Sequence, residues 1–351
     1  MKTALQKRPP LLAGAALALL ALLTLWAYWE TDGPGAQTAR ITWTARPRGV
    51  MGTTCLLAVR DLPQGEKKAH RALREAEKAL RRVEALMSVH LADSEISRLD
   101  GAPPGKEVPL SPWTLQVLRR ARELWKATEG AFDITCRPLL TLWKEGARRG
   151  RLPTRKEIQA ARRASRWDLL VLGPSWAKKK APGLQVDLGG IAKGFGIDKA
   201  LEAMEKTGVA GGLVDVGGDL RVFGKGPGPE GTWKVEVRSP FGPSPLGSLD
   251  LRRGALCTSG GYFRYVEIQG RRFSHIVDPR TGRPADAAAS VTVLGPDAAS
   301  ADAWATALAV LGKDGLPILE KERGLEALIV TGTRTSPETF LTAGMKALFR
   351  P

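Results

Sequence analysis

The sequence predicts an α+β fold in which mixed, mainly antiparallel sheets pack against helices. Helical and strand-like segments are mixed along the chain without the steady strand-helix alternation of a doubly wound sheet. After residue 210 several short strand-like segments follow one another, and Gln269-Gly270 has the composition of a hairpin turn. One hydrophobic helix is expected to precede this fold, so we divide the chain into residues 1–39 and one domain over residues 40–351.

The N-terminal segment predicts a membrane anchor. Residues 11–29 carry no charge, and Lys7 and Arg8 precede them. A helix of this length crosses a bilayer, which takes about 17 to 25 residues, and the positive flank predicts that the N-terminus stays in the cytoplasm. We therefore expect the domain on the extracytoplasmic, periplasmic side of the cytoplasmic membrane; a cleaved signal peptide with a cut site in residues 35–39 is the alternative.

Composition narrows the class of protein. The formal net charge is +17, which suits nucleic acid, membrane headgroups or an acidic partner. The cations lie on amphipathic helices without a groove-reading module, so the sequence favours a solvated basic surface and no nucleic-acid binding. Cys55, Cys136 and Cys257 lie far apart and predict three separate small buried residues, with one disulfide as the alternative.

The first half of the domain carries local signals for strands and helices. Residues 41–59 indicate one or two strands, and Thr154 with Glu157 predicts a helix that begins with a capping box. Residues 168–172 indicate a buried strand and residues 176–183 a basic surface loop. A long amphipathic helix is predicted by apolar residues at steps of three and four: Leu73, Ala76, Leu80, Val83 and Met87. Another helix begins at Ser111-Pro112 and ends by Gly130.

Residues 186–198, VDLGGIAKGFGID, are predicted to join a short strand to a helix. Glycines at such a junction let the backbone approach a ligand closely, and a helix N-terminus favours negative charge. Phosphate is therefore the first ligand to consider, and a tight turn without a ligand is the alternative. Neither the spacing of a P-loop nor the three-glycine dinucleotide fingerprint is present.

The second half of the domain is rich in strands. An alanine-rich helix over residues 298–311 ends at Gly312. Strands are predicted over residues 213–216, 233–237, 255–258, 265–268, 273–276, 290–294 and 327–331.

Two groups of side chains could carry chemistry. Asp302 and Thr306 lie four residues apart on one face of the alanine-rich helix and offer hard oxygens, which suit Mg²⁺; a capping Asp302 and a packed Thr306 are the alternative. His275 lies at a predicted strand end, where it could act as a general base or merely pack. Asp278 belongs to a polar turn and has either a catalytic or a structural role.

Eight segments, taken in this order, resemble the ApbE family of FAD:protein FMN transferases. They are MGTTC, MSVHLADSEISRLD, GAFDIT, VDLGGIAKGFGID, LVDVGGDLRVFG, ALCTSGGYFRY, FSHIVDPRTGRP and SVTVLGPDAASADAWATALAVLG. The resemblance covers residues 48–312. It implies an enzyme that uses Mg²⁺ and FAD, cleaves the pyrophosphate, and attaches FMN through a phosphoester to a threonine or serine of a partner protein in a membrane redox complex.

The resemblance also implies roles for particular residues. The Mg²⁺ ligands would be Asp302, Thr306 and the backbone carbonyl of Gly190, and His275 would be the base. Asp278 is kept as a second catalytic candidate from its place in the polar turn. Contacts to FAD are implied for Met51, His90, Ala131, Phe132, Asp133, Asp187, Lys193 and Ile276. Two positions depart from the family, since His90 stands where many members have tyrosine and Asp215 where members often have asparagine.

We therefore expect a flavin transferase, with two alternatives left open. One is an enzyme that hydrolyses FAD to FMN and AMP, in which water replaces the acceptor hydroxyl. The other is a protein that binds FAD without catalysis.

Overall fold

The computed structural model describes residues 40–261 and 265–351 of the chain. Its α-helices in these ranges are α1 (Glu66–Met87), α2 (Glu95–Gly101), α3 (Pro112–Ala127), α4 (Arg137–Arg148), α5 (Arg155–Ala164), α6 (Ala192–Glu205), α7 (Ala298–Leu311), α8 (Leu316–Leu319) and α9 (Ala343–Leu348). Its strands there are β1 (Ile41–Ala45), β2 (Cys55–Asp61), β3 (Val108–Pro109), β4 (Leu170–Leu172), β5 (Trp176–Lys179), β6 (Gly211–Val216), β7 (Asp219–Gly224), β8 (Trp233–Arg238), β9 (Pro245–Leu251), β10 (Gly254–Ser259), β11 (Tyr265–Ile268), β12 (Arg271–Ser274), β13 (Val277–Asp278), β14 (Arg283–Pro284), β15 (Ser290–Gly295), β16 (Glu326–Thr333) and β17 (Ser336–Leu341).

The central element is an eight-stranded sheet with the order β1-β2-β6-β7-β10-β15-β16-β17. Every neighbouring pair in it is antiparallel. The strands β3, β5 and β4 form a small separate sheet, and β8–β9, β11–β12 and β13–β14 are two-stranded. The predicted α+β fold with mainly antiparallel sheets is therefore confirmed.

Helices α1, α6 and α7 cover one face of the large sheet, and α6 contacts both of the others. All five apolar residues that predicted α1 are buried, because they form the stripe that faces this core. Helix α7 is apolar on nearly all sides and almost wholly buried, with the Trp304 side chain fully enclosed. The predicted bounds of this helix, residues 298–311, are confirmed.

Helices α6 and α7 approach so closely that only glycine fits at position 194. A Cβ atom there would lie 2.1 Å from the carbonyl oxygen of Ala298, a backbone atom that no rotamer change can move. We expect Gly194→Ala to lower the free energy of unfolding by about 3 kcal/mol, the upper end of the usual overpacking cost. Urea unfolding measures this.

Gly101→Ala is the matched control for that substitution. Gly101 ends α2, and a Cβ there would meet nothing within 4 Å. It should therefore leave stability unchanged or raise it slightly, because alanine favours helix more than glycine does. Equal stabilities for the two variants would contradict the close approach of α6 and α7.

The opposite face of the sheet is covered by the β8–β9 hairpin and α9. Their apolar side chains form a second core with residues of β7 and β16: Trp233, Val235, Val237, Leu249, Leu251 and Met345 against Leu220, Val222, Leu328 and Val330. Both faces of the large sheet are thus covered, so its strands carry long buried runs.

A satellite lobe consists of residues 137–166 and 265–284 and holds α4, α5 and the β11–β12 hairpin. Its small core comprises Leu139, Trp143, Ile268 and Val277. The Trp143 and Phe273 rings lie 5.3 Å apart, and the Trp143 indole N–H donates to the Gly282 carbonyl at 2.9 Å. These contacts join α4 to the segment that carries residues 275 and 276.

The structure corrects two predicted elements. The short strand predicted at the start of residues 186–198 does not form, because its N–H groups bond elsewhere: that of Val186 to the Asp100 carboxylate and that of Asp187 to the Ile134 carbonyl. The predicted surface loop over residues 176–183 begins with β5, in which Lys179 is buried. A lysine buried along its stem looks like a surface residue in the sequence.

Two further predictions concern the N-terminal segment and the cysteines. Within the described residues, no helix is both long and apolar enough to cross a bilayer. The predicted anchor over residues 11–29 lies outside the described residues. Cys55, Cys136 and Cys257 are unpaired, which confirms separate cysteines; Cys55 and Cys257 are buried as predicted, whereas Cys136 is only partly buried. Burial raises the pKa of the Cys55 thiol to about 11.

Candidate active site

A cleft of about 1230 Å³ brings together twelve of the thirteen predicted site residues. They come from distant parts of the chain: Met51, His90, Ala131, Phe132, Asp133, Asp187, Gly190, Lys193, His275, Ile276, Asp302 and Thr306. Asp278 is the exception. Residues at the start of α6 and on α7 line the cleft.

Asp302 and Thr306 lie on the cleft side of α7, one turn apart. Asp302 is only 2% exposed, and its Oδ2 accepts a hydrogen bond from the Gly194 N–H at 3.1 Å. The glycine turn before α6 abuts Thr306, because a Cβ at Gly190 would lie 3.0 Å from the Thr306 hydroxyl oxygen. The three predicted metal ligands therefore lie in one corner, which we call the α7 corner.

Lys193 adds a positive charge to the α7 corner. Its ammonium group lies between Asp302, whose Oδ1 is 3.1 Å from Nζ, and Asp219. Burial alone would lower the pKa of Lys193, but the two carboxylates outweigh it and raise the pKa above its usual range. Burial raises the pKa of Asp302 to about 6, against the opposing effect of Lys193.

Asp219 is a site residue that the sequence patterns do not predict. It begins β7 directly after Gly217-Gly218, is 3% exposed, and accepts the Thr258 N–H at 2.8 Å. A carboxylate after a glycine pair was the only signal, and such turns are common without function. Its proximity to Lys193 depends on how the β6–β7 turn meets α6, which no local pattern predicts.

The residues of the α7 corner fit a divalent cation that prefers oxygen ligands. They provide a carboxylate, a hydroxyl and a glycine turn with an accessible backbone, and an ammonium group already compensates the carboxylate. Among residues 40–261 and 265–351, no group of three or more His, Cys, Asp or Glu side chains is placed to hold a metal. A metal in this corner would therefore depend on neutral oxygens, as Mg²⁺ commonly does.

The segment between α3 and α4 forms a second wall. The Phe132 ring approaches the glycine turn, at 3.3 Å from where a Gly190 Cβ would lie. Asp133 Oδ1 accepts both the N–H and the hydroxyl of Thr135 at 2.7 Å, and burial raises the pKa of Asp133 to about 7. Thr128 accepts the Phe132 N–H at 3.1 Å, so this wall is fixed by its own hydrogen bonds.

Met51 and Asp187 border the cleft from two loops. Met51 has φ 51°, a backbone conformation that is rare for residues other than glycine. A Cβ at Gly196 would lie 3.1 Å from the Met51 sulfur. Asp187 Oδ1 accepts the Gly189 N–H at 2.7 Å and so shapes the glycine turn. Its other carboxylate oxygen has no hydrogen bond among the described residues.

His275 follows β12 directly and lines the cleft with Ile276. The Ser274 hydroxyl accepts the Ile276 N–H at 3.1 Å and sets the bend at this point. Asp278 does not line the cleft. Its Oδ1 accepts from Nε and the N–H of Arg280, both at 2.9 Å, which favours a role in the turn. A catalytic role for Asp278 stays a prediction.

The two departures from the family pattern both line the cleft. His90 is exposed in the segment after α1. Asp215 Oδ1 accepts the Gly218 N–H at 2.9 Å and holds the β6–β7 turn. Burial raises the pKa of Asp215, partly offset by Arg238 and Arg46. An effect of either residue on FAD affinity stays a prediction.

Known proteins resemble this chain over most of its length. The model of the ApbE family matches residues 51–329. A protein of Vibrio cholerae named FAD:protein FMN transferase is 33% identical over 279 residues, which cover 78% of this chain and 83% of that protein. The Escherichia coli K12 protein of the same name is 31% identical over 272 residues, or 75% of this chain and 77% of that one.

Solved structures of ApbE proteins share the fold of this chain. The flavin transferase ApbE from Vibrio cholerae superposes with a TM-score of 0.76 and 30% identity, covering 88% of this chain and 100% of that one. The ApbE protein from Thermotoga maritima has a TM-score of 0.77 and 28% identity, covering 89% of this chain and 100% of that one.

Proposed function

The chain belongs to the ApbE family, and from this premise we propose that it is an FAD:protein FMN transferase. In this reaction FMN moves from FAD to a hydroxyl group of a partner protein, and AMP is released. The observation that carries the proposal is the α7 corner, where the Lys193 ammonium group, the Asp302 carboxylate and Thr306 meet in the same cleft as His275.

The proposed chemistry follows from what each side chain can do. His275 takes the proton of the acceptor hydroxyl, whose oxygen forms a bond to the phosphorus of the FMN half. The pyrophosphate P–O bond breaks, and its electron pair leaves with AMP. Lys193 stabilises the negative charge of the pyrophosphate oxygens. Bound at Gly190, Asp302 and Thr306, Mg²⁺ would supply further positive charge to these oxygens.

We further propose where the enzyme works and on what. The acceptor is a threonine or serine of a redox protein in a membrane complex, and the domain lies on the periplasmic side of the cytoplasmic membrane. The location is supported by the uncharged segment over residues 11–29, with Lys7 and Arg8 before it. Cell fractionation with an antibody against the domain tests it, and a domain found in the cytosol would contradict it.

One incubation separates the three candidate activities. The purified protein is mixed with FAD, Mg²⁺ and a flavin-acceptor domain that bears one threonine, and the products are analysed by chromatography and mass spectrometry. Covalent FMN on the acceptor, with AMP released in equal amount, is the expected result. Free FMN with AMP would instead indicate FAD hydrolysis, and intact bound FAD would indicate a binding protein.

A further inference from the structure

The positive charge of the protein is concentrated in the satellite lobe. Residues 137–166 and 265–284 carry fourteen Lys and Arg against four Asp and Glu, a net charge of +10. The formal net charge of the whole chain is +17. The lobe therefore holds more than half of the excess charge in about a seventh of the chain, contrary to an evenly basic surface.

Many of these cations face solvent without a partner. Arg148, Arg155, Lys156 and Arg163 are exposed, and within the described residues they make no hydrogen bond, ion pair or ring contact. Helix α5 has no buried residue and packs on the small core of the lobe through Ile158 and Ala161, which are partly buried. Arg155, Lys156 and Arg163 are left facing solvent. Arg155 and Lys156 also lie in the first turn of α5, where the helix dipole disfavours positive charge.

The satellite lobe adjoins the end of the cleft at which His275 lies. Its β12 strand leads directly into His275, and Leu140 and Lys144 of α4 line the cleft. Arg148 follows Lys144 by four residues and so continues the same face of α4 away from the cleft. A protein that presents a hydroxyl to His275 must therefore lie against this lobe.

We propose that the satellite lobe is the docking surface for the acceptor protein, and that the acceptor is acidic around its reacting hydroxyl. This inference rests on the proposed function. Complementary charge speeds association and fixes orientation, which suits an enzyme that must find one hydroxyl on another protein. An anionic membrane is the weaker fit, since a bilayer against this lobe would cover the cleft mouth beside His275 and exclude the acceptor.

The test uses a charge-reversed variant and a matched control. Arg148→Glu, Arg155→Glu and Lys156→Glu are combined in the lobe variant; the last two place acidic residues in the first turn of α5, which the helix dipole favours. The control combines Lys67→Glu, Arg71→Glu and Arg74→Glu on α1. These residues are exposed and unpaired among the described residues, and Arg74 lies about 14 Å along α1 from Val83, where the cleft lining begins.

The probes are two synthetic peptides of equal length with one central threonine, flanked in one by Asp and Glu and in the other by Asn and Gln. We expect the wild-type protein with FAD and Mg²⁺ to transfer FMN to the acidic peptide with a KM about tenfold lower than to the amide peptide. The lobe variant should lose this preference, and the control variant should keep it. The same preference in all three proteins, or in none, would overturn the proposal.

Binding is measured separately, so that failure of the proposed function can be recognised. Fluorescence anisotropy with the same peptides carrying alanine instead of threonine reports docking without transfer. Docking that favours the acidic peptide and depends on the lobe, without transfer to any peptide, would contradict the proposed function and support the surface. If the lobe variant instead loses binding to vesicles of phosphatidylglycerol and phosphatidylcholine but keeps its peptide preference, the lobe is a membrane surface and the proposal is wrong.

Discussion

Replacing Asp302 by asparagine is expected to reduce FMN transfer at least about 100-fold, because the substitution removes the only carboxylate among the three proposed metal ligands. Asparagine keeps the shape of the side chain and can still accept the Gly194 N–H, so the α6–α7 contact should persist. Isothermal titration calorimetry with Mg²⁺ should show weakened metal binding as well. Transfer rates at saturating FAD, measured over a range of Mg²⁺ concentrations, give the loss directly.

Asp286→Asn controls for the loss of one negative charge. Asp286 is exposed and makes no hydrogen bond or ion pair in the described part of the chain. The Asp286→Asn variant should transfer FMN at the wild-type rate. If Asp302→Asn turned over with unchanged Mg²⁺ dependence while remaining folded, the assignment of the metal to the α7 corner would be wrong.

Replacing His275 by alanine is expected to lower the rate of FMN transfer about 100-fold to 10,000-fold, the usual contribution of a general base. FAD binding should be retained, because the α7 corner and the wall formed by residues 131–133 are untouched. The rate of covalent flavin formation and the dissociation constant of FAD, followed by flavin fluorescence, separate the two effects.

His70→Ala is the control for the loss of an imidazole. His70 is exposed on α1, where its ring lies 3.5 Å from the Glu66 carboxylate, and it does not line the cleft. Full transfer by His70→Ala and by His275→Ala alike would remove His275 as the base. Loss of FAD binding in His275→Ala would show that the residue holds the flavin and would leave its role in proton transfer unsupported.

The elements with strong local signals could be predicted from the sequence. The apolar stripe of α1, the alanine-rich α7 and the Thr154–Glu157 capping box each depend on residues three or four apart. The Gln269-Gly270 hairpin is confirmed as well, because both residues adopt positive φ there. Such features require no knowledge of the rest of the fold.

Elements set by distant partners were mispredicted or missed. The basic composition of Trp176–Lys179 predicts a surface loop, yet these residues form β5 between β3 and β4. The apolar run that begins at Val186 predicts a short strand, although the N–H groups of Val186 and Asp187 bond to Asp100 and to the loop before α4. In both cases some of the hydrogen-bond partners lie tens of residues away: β3 for β5, and Asp100 and Ile134 for the segment before the glycine pair. Period-2 patterns carry no information about such partners.

The site residues likewise divide into those that a local pattern predicts and those that only the folded chain brings together. Asp302 and Thr306 could be paired from their spacing on one helix, whereas Asp219 beside Lys193 could not, because their contact joins a hairpin turn to the start of α6. The resemblance to a family brought the distant segments together before any geometry was known. For Asp278 the sequence leaves a catalytic and a structural role open. The ion pair of its carboxylate with Arg280 is seen only in the structure.

The most direct test of FMN transfer is the intact mass of an acceptor domain after incubation with the wild-type protein, FAD and Mg²⁺. We expect a mass increase of one FMN less one water on the threonine-bearing domain. We expect no increase on the same domain with alanine at that position, and none when a chelator removes Mg²⁺. An unmodified threonine-bearing domain, with FAD bound or hydrolysed beside it, would contradict FMN transfer as the function of this protein.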